Sequence, residues 1–144
     1  MAELEARVQK AIEDIAGNES LLEMLDTEAA AELFEWGSST ATSLVTQTDG
    51  MDDAAAELAS ESRLKAVRQF MRSAGNWAAG KYIDPADRIQ LREKLLGYAK
   101  VIFGEDAQLP PTEEVDAVLN QVDDPQNSPK QLTQNLTDLF NKAL

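Results

Sequence analysis

The 144-residue chain contains neither cysteine nor histidine. Without thiols there can be no disulfide, no thiolate nucleophile and no Cys-ligated zinc. Without imidazole the commonest general base and metal ligand is missing too. Ser-His-Asp and Cys-His machinery is therefore excluded, and any proton chemistry falls to Asp, Glu, Lys, Tyr or Arg. Nowhere do about eighteen apolar residues stand together, so no membrane-spanning helix is expected. The stretch MAELEARVQKAIEDIAG is polar and acidic, unlike a secretory signal, and the expected location is cytoplasmic. Seven glycines are present, but none forms a G-x-G-x-x-G or G-x-x-x-x-G-K-[ST] pattern, so no motif supports nucleotide binding. No cofactor is expected.

What remains is the material of an ordinary folded protein. Hydrophobic residues make up 43% of the chain and charged ones 27%, and a chain of this length buries roughly two-thirds of its unfolded surface. One domain over 1–144 is expected. Alanine, leucine and glutamate are abundant while β-branched residues are sparse, which favours helix over strand. Apolar positions recur at helical spacing almost throughout, giving an all-α fold: a bundle or orthogonal array of five to seven helices.

A first helix is expected over about Ala2 to Ala16, and a short one in NESLLEML. A long helix follows from about Thr27 to Thr48, although its GSSTATS middle, Gly37 to Ser43, is a poor helix former and predicts a closely approached or strained segment. Helical character then runs from Met51 to about Lys81, with a bend expected near Gly75 or Gly80. Asp84 and Pro85 mark a well-signalled start. The helix they open carries a wide apolar arc ending at Gly104, which makes it the candidate central helix. Thr112 is expected to cap the next helix, and Ser128-Pro129-x-Gln131 the last. The acidic, prolyl linker DDPQNSP predicts that residues 129–144 can act as a mobile C-terminal helix.

Charge is distributed unevenly. Residues 1–62 hold two cations and fifteen acids, net −13; residues 63–100 hold nine and three, net +6; residues 101–144 hold two and eight, net −6. The segment RLKAVRQFMRSAGNW, Arg63 to Trp77, thus carries four cations and no acid within a chain of net charge −13. Its wheel places Leu64, Val67, Phe70, Met71, Ala74, Trp77 and Ala78 on one arc, with Lys65, Arg68 and Arg72 as a stripe flanking it. Such a stripe suits phosphate or nucleic acid, but long-range repulsion from the whole chain opposes that. Pairing with the chain's own acidic half is the simpler account, with Glu61–Lys65 and Asp84–Arg88 at favourable helix spacing. Docking of an acidic protein, such as the Glu-rich face of a second copy, lies between these two.

Glu28, Glu32 and Glu35 share one helix face, as do Asp53, Glu57 and Glu61. Bundle di-metal centres add Glu-x-x-His motifs, and no stretch has EF-hand spacing, so both rows read as exposed acidic faces and no metal site is assigned. Trp36, Trp77, Phe70 and Tyr82 read first as core, where buried indoles usually serve structure. The alternative is a pocket lined by these four for a small molecule or lipid. Amphipathic helices that lie on membranes are basic on their polar face, and these are mainly acidic, so neither a membrane nor nucleic acid is the favoured partner.

No catalytic residue is assigned. The expected function is a non-catalytic acidic interaction protein, an adaptor, assembly factor or regulatory subunit, that binds a protein partner or itself through Lys65, Arg68 and Arg72. The Trp36/Trp77 pocket is the alternative; a carboxylate-metal enzyme and an acidic mimic of DNA stand behind it.

Overall fold

The computed structural model describes residues 5–10, 13, 27–47, 50–82, 84–104 and 108–141. Among them every regular element is helical and no strand occurs. The protein is all-α. Residues 5–10 and 13 are helical, within the span expected for the first helix, and Val8 packs on the core. The remainder of that span and the NESLLEML helix lie outside the described residues.

Helix α1 is Thr27–Thr46. The GSSTATS segment stays helical within it, although its propensities argue against helix. Gly37, Thr40 and Ala41 are buried on the core face, while Ser39 and Ser43 are exposed. Thr42 Oγ1 donates to the Ser38 carbonyl at 2.8 Å and Thr46 Oγ1 to the Thr42 carbonyl at 2.7 Å. These hydroxyls are thus satisfied inside the helix, and tertiary burial overrides a weak local preference.

Helix α2, Asp53–Ala78, is one continuous helix of 26 residues, about 39 Å at 1.5 Å per residue. Asp52 caps it, its carboxylate accepting from Ala55 N at 2.8 Å. Gly75 is buried inside it, so chain reversal waits for Gly80, where φ is 85° and a side chain would be strained.

Helix α3, Pro85–Phe103, begins where its signals stand: Asp84 accepts from Ala86 N at 2.9 Å and Pro85 is the first helical residue. It ends at Gly104, with φ 97°. It is not the central helix. Its apolar arc is wide because Ile89 and Val101 face solvent, 51% and 47% exposed, while the inner face is Leu91, Leu95, Ala99 and Ile102. The central element is α2, which packs against α1, α3 and the C-terminal helix.

Helix α4, Thr112–Asn120, starts one residue earlier than its threonine suggested: Pro111 is the cap and Thr112 lies inside the helix, with no side-chain capping bond. A single 3-10 turn follows at Gln121–Asp123, then helix α5, Pro129–Asn141. Ser128 Oγ accepts from Gln131 N at 3.2 Å, but the Gln131 side chain turns to Asn135 Oδ1 instead of closing the capping box. The described part of this helix buries Leu132, Thr133, Leu136, Thr137, Leu139 and Phe140 and packs on α1, α2 and α4.

One continuous cluster of buried apolar side chains links all five helices. Its aromatic centre is Phe70 on α2. The Trp36 ring lies 4.7 Å from it at an interplanar angle of 31°, and the Phe140 ring lies 4.9 Å away, edge-on at 79°. Three helices therefore meet on one side chain.

Candidate functional site

The cation-rich segment divides into two populations when placed on α2. Arg63 is half-buried and donates at 3.3 Å to Oε1 of Gln47, the residue that follows α1, so it belongs to the junction between α1 and α2. Lys65 and Arg72 are exposed and Arg68 is half-buried. Arg68 borders the core, as its wheel suggested, but Lys65 and Arg72 do not. Ala66 and Ser73 are buried as well, which widens the core arc on the side away from Arg68. Lys65 and Arg72 thereby stand opposite the buried face, in the middle of the solvent-facing side.

The next question is whether acids of the same chain neutralise them. Glu61 and Lys65 are both exposed and form no ion pair, and among the described residues none is formed by Arg68 or Arg72. Two arginines that are neutralised lie further along, on α3. Arg92 reaches Asp116 Oδ2 of α4 and Glu93 Oε1, each at 2.9 Å. Both carboxylates raise its pKa, Glu93 foremost.

Arg88 does more. Expected to pair with Asp84 on the surface, it is instead 4% exposed and lies on the same face as Leu91, Leu95, Ala99 and Ile102. Its Nε donates to the Tyr82 carbonyl at 2.8 Å, and Nη1 donates to Asn120 Oδ1 at 3.1 Å and to Asp123 Oδ2 at 2.7 Å. Nη2 reaches Asp123 Oδ1 at 2.5 Å. Asp84 contributes only at longer range. This fork-on-carboxylate clasp ties the start of α3 to the 3-10 turn that precedes α5.

Hydrogen bonding from Arg88 holds the Asp123 carboxyl below its usual range. A carboxyl that binds its proton more weakly in the folded than in the unfolded chain stabilises the fold fully above the ordinary value, about pH 4. That contribution disappears as pH falls through the lowered folded value. Asp123→Asn should therefore reduce stability at neutral pH, and its difference from the parent should shrink steadily on acidification. Urea unfolding across the acid range checks this; a difference that does not change with pH would remove the clasp from the account.

The linker around Pro125 is tied down further. Asp124 Oδ1 accepts from Gln126 N, Asn127 Nδ2 donates to the Gln121 carbonyl, and Asn135 Nδ2 donates to Gln121 Oε1. Sequence reasoning missed this node, although one signal was present: Arg88 falls at positions 88, 91, 95, 99 and 102, the spacing of the buried stripe.

The four aromatic residues considered for a pocket do not form one ring cluster. Trp36 and Phe70 touch, and the Trp36 indole donates to Asn141 Oδ1 at 2.9 Å. Trp77, fully buried, sends its indole N–H to the Leu119 carbonyl of α4 at 2.8 Å. Tyr82 is half-buried against the core, and its carbonyl belongs to the Arg88 clasp. Each indole N–H is thus satisfied within the protein, as packed core indoles require.

Glu28 and Glu35 of α1 are exposed and Glu32 is half-buried; Glu61 of α2 is exposed, while the side chains of Asp53 and Glu57 lie outside the description. Among the described residues no group of three or more acids is placed to hold a metal ion, and no helix is long and apolar enough to cross a membrane. No family model, curated protein or solved structure matches the chain.

Proposed function

We propose that the protein is a non-catalytic helical interaction module that docks an acidic protein surface on the outer face of α2, through Lys65, Arg68 and Arg72. One observation carries this reading. Arg88 and Arg92 are neutralised by acids of the same chain, whereas Lys65, Arg68 and Arg72 make no ion pair among the described residues, within a protein of net charge −13. A cation stripe held on the solvent side of a rigid, core-anchored helix needs no rearrangement before it meets an anionic partner, so it can steer encounter and fix register. A protein partner fits better than nucleic acid, because the field of so acidic a chain repels an extended polyphosphate.

The double reversal Arg68→Glu/Arg72→Glu should leave the helical circular dichroism and the melting temperature close to those of the parent, since neither side chain forms an ion pair to another helix among the described residues. Capture of partners from native extract and light scattering of the purified protein should both change. If association of every kind were indifferent to the reversal, the docking face would lie elsewhere.

A further inference from the structure

We infer that a second copy of this chain supplies the counter-charge, laying the glutamate row of its α1 antiparallel to the α2 stripe. This rests on the reading above and names its partner.

The two rows match in axial spacing. Along α1, Glu28, Glu32 and Glu35 step by four residues and then three. Along α2 in the opposite direction, Arg72, Arg68 and Lys65 also step by four and then three. At 1.5 Å per residue these are steps of about 6 and 4.5 Å on both helices. An antiparallel approach therefore sets Glu28 level with Arg72, Glu32 with Arg68 and Glu35 with Lys65. A parallel approach puts the middle pair out of step, since three is then matched against four.

Both rows are available. Glu28, Glu35, Lys65 and Arg72 are exposed, Glu32 and Arg68 are half-buried, and none of the six makes an ion pair among the described residues. The exposed side chain of Ala31 lies beside the glutamate row, and those of Ser62 and Gln69 beside the cation stripe, so among the described residues no bulky apolar group stands at these positions.

The arrangement is self-complementary. In the proposed contact α1 of each copy lies on α2 of the other, and this reciprocal arrangement closes as a two-fold dimer. Within the contact the opposite charges lie closer than the Debye length of about 8 Å at physiological salt, whereas the repulsion between the two acidic bodies acts over longer distances and is screened. Exposed pairs of this kind are individually weak. The dimer is accordingly a reversible one.

Sedimentation velocity on the full chain, over concentrations up to the order of 100 μM, tests this with three proteins. The parent should self-associate reversibly. Arg68→Glu/Arg72→Glu and Glu28→Arg/Glu32→Arg should each weaken self-association by about tenfold or more, because like charges then face each other. An equimolar mixture of the two variants should associate again, since each reversed row now meets its opposite on the other protein. A parent that stays monomeric throughout, or a mixture that fails to restore association, overturns the second-copy assignment. The docking reading would then survive only if the arginine reversal still abolished capture of a different acidic protein, so the two failures are distinguishable.

Discussion

Replacing Phe70 with alanine should destabilise the protein by about 4 kcal/mol, the middle of the range for truncating a buried aromatic residue. The reason is positional. Phe70 is fully buried on the central helix, and its ring touches Trp36 of α1 and Phe140 of α5. Truncation opens a cavity where three helices converge, and it removes two aromatic contacts, each adding roughly 0.5–1.5 kcal/mol beyond area burial. None of the three helices can close the gap alone without shifting against the other two. In a domain of this size the loss corresponds to a melting point lower by roughly 10 °C. Phe70→Leu, which keeps most of the volume, should cost about 1.5 kcal/mol or less. Thermal and urea unfolding of both variants measures the difference. An alanine variant no less stable than the leucine one would show that the Trp36–Phe70–Phe140 contact does not hold the bundle together.

The second large effect is expected at Arg88. Arg88→Met keeps much of the side chain's length and apolar stem but removes the guanidinium that serves Tyr82, Asn120 and Asp123. A loss of about 2–3 kcal/mol is expected, near the lower end for breaking a buried ion pair. The value stays low because the Asp123 side chain is 66% exposed and water resolvates it once its partner is gone. Arg88→Lys should not rescue stability, since an ammonium cannot present Nε and a two-pronged fork together. Hydrogen exchange gives a readout that simple core loosening would not. The amides from the 3-10 turn to the start of α5 should lose protection first, because the clasp anchors that turn to α3. Uniform loss of protection over all helices would instead mark Arg88 as a general core residue.

Much of the architecture was legible along the chain because it is written in local chemistry. Asp84-Pro85 opens α3 and Gly104 closes it, since an N-cap acceptor, a fixed φ and a left-handed glycine act within one turn. Leu132, Leu136, Leu139 and Phe140 formed the apolar stripe of α5 in the sequence and are buried in the structure. Discrepancies arose wherever a choice depended on another helix. GSSTATS is a weak helix former alone, yet it stays helical in α1, with Gly37, Thr40 and Ala41 buried. The wide apolar arc of α3 resembles that of a central helix, yet Ile89 and Val101 face solvent. Arg88 reads as the surface partner of Asp84, four residues earlier, until α4 and the following turn bring Asn120 and Asp123 over it.

The candidate site shows the same division. Its residue types, its helical spacing and its setting in a strongly acidic chain are properties of the sequence alone, and they make Lys65, Arg68 and Arg72 a stripe on any helix. The structure leaves Lys65 and Arg72 exposed and Arg68 half-buried, with Ala66 and Ser73 on the buried side of the same helix. Helix type, caps and charge segregation are local, set by neighbours a turn away. The choice of α2 as the centre, the burial of Arg88 and the separation of neutralised from outward-facing cations come from contacts between residues tens of positions apart, so only the packed structure decides them.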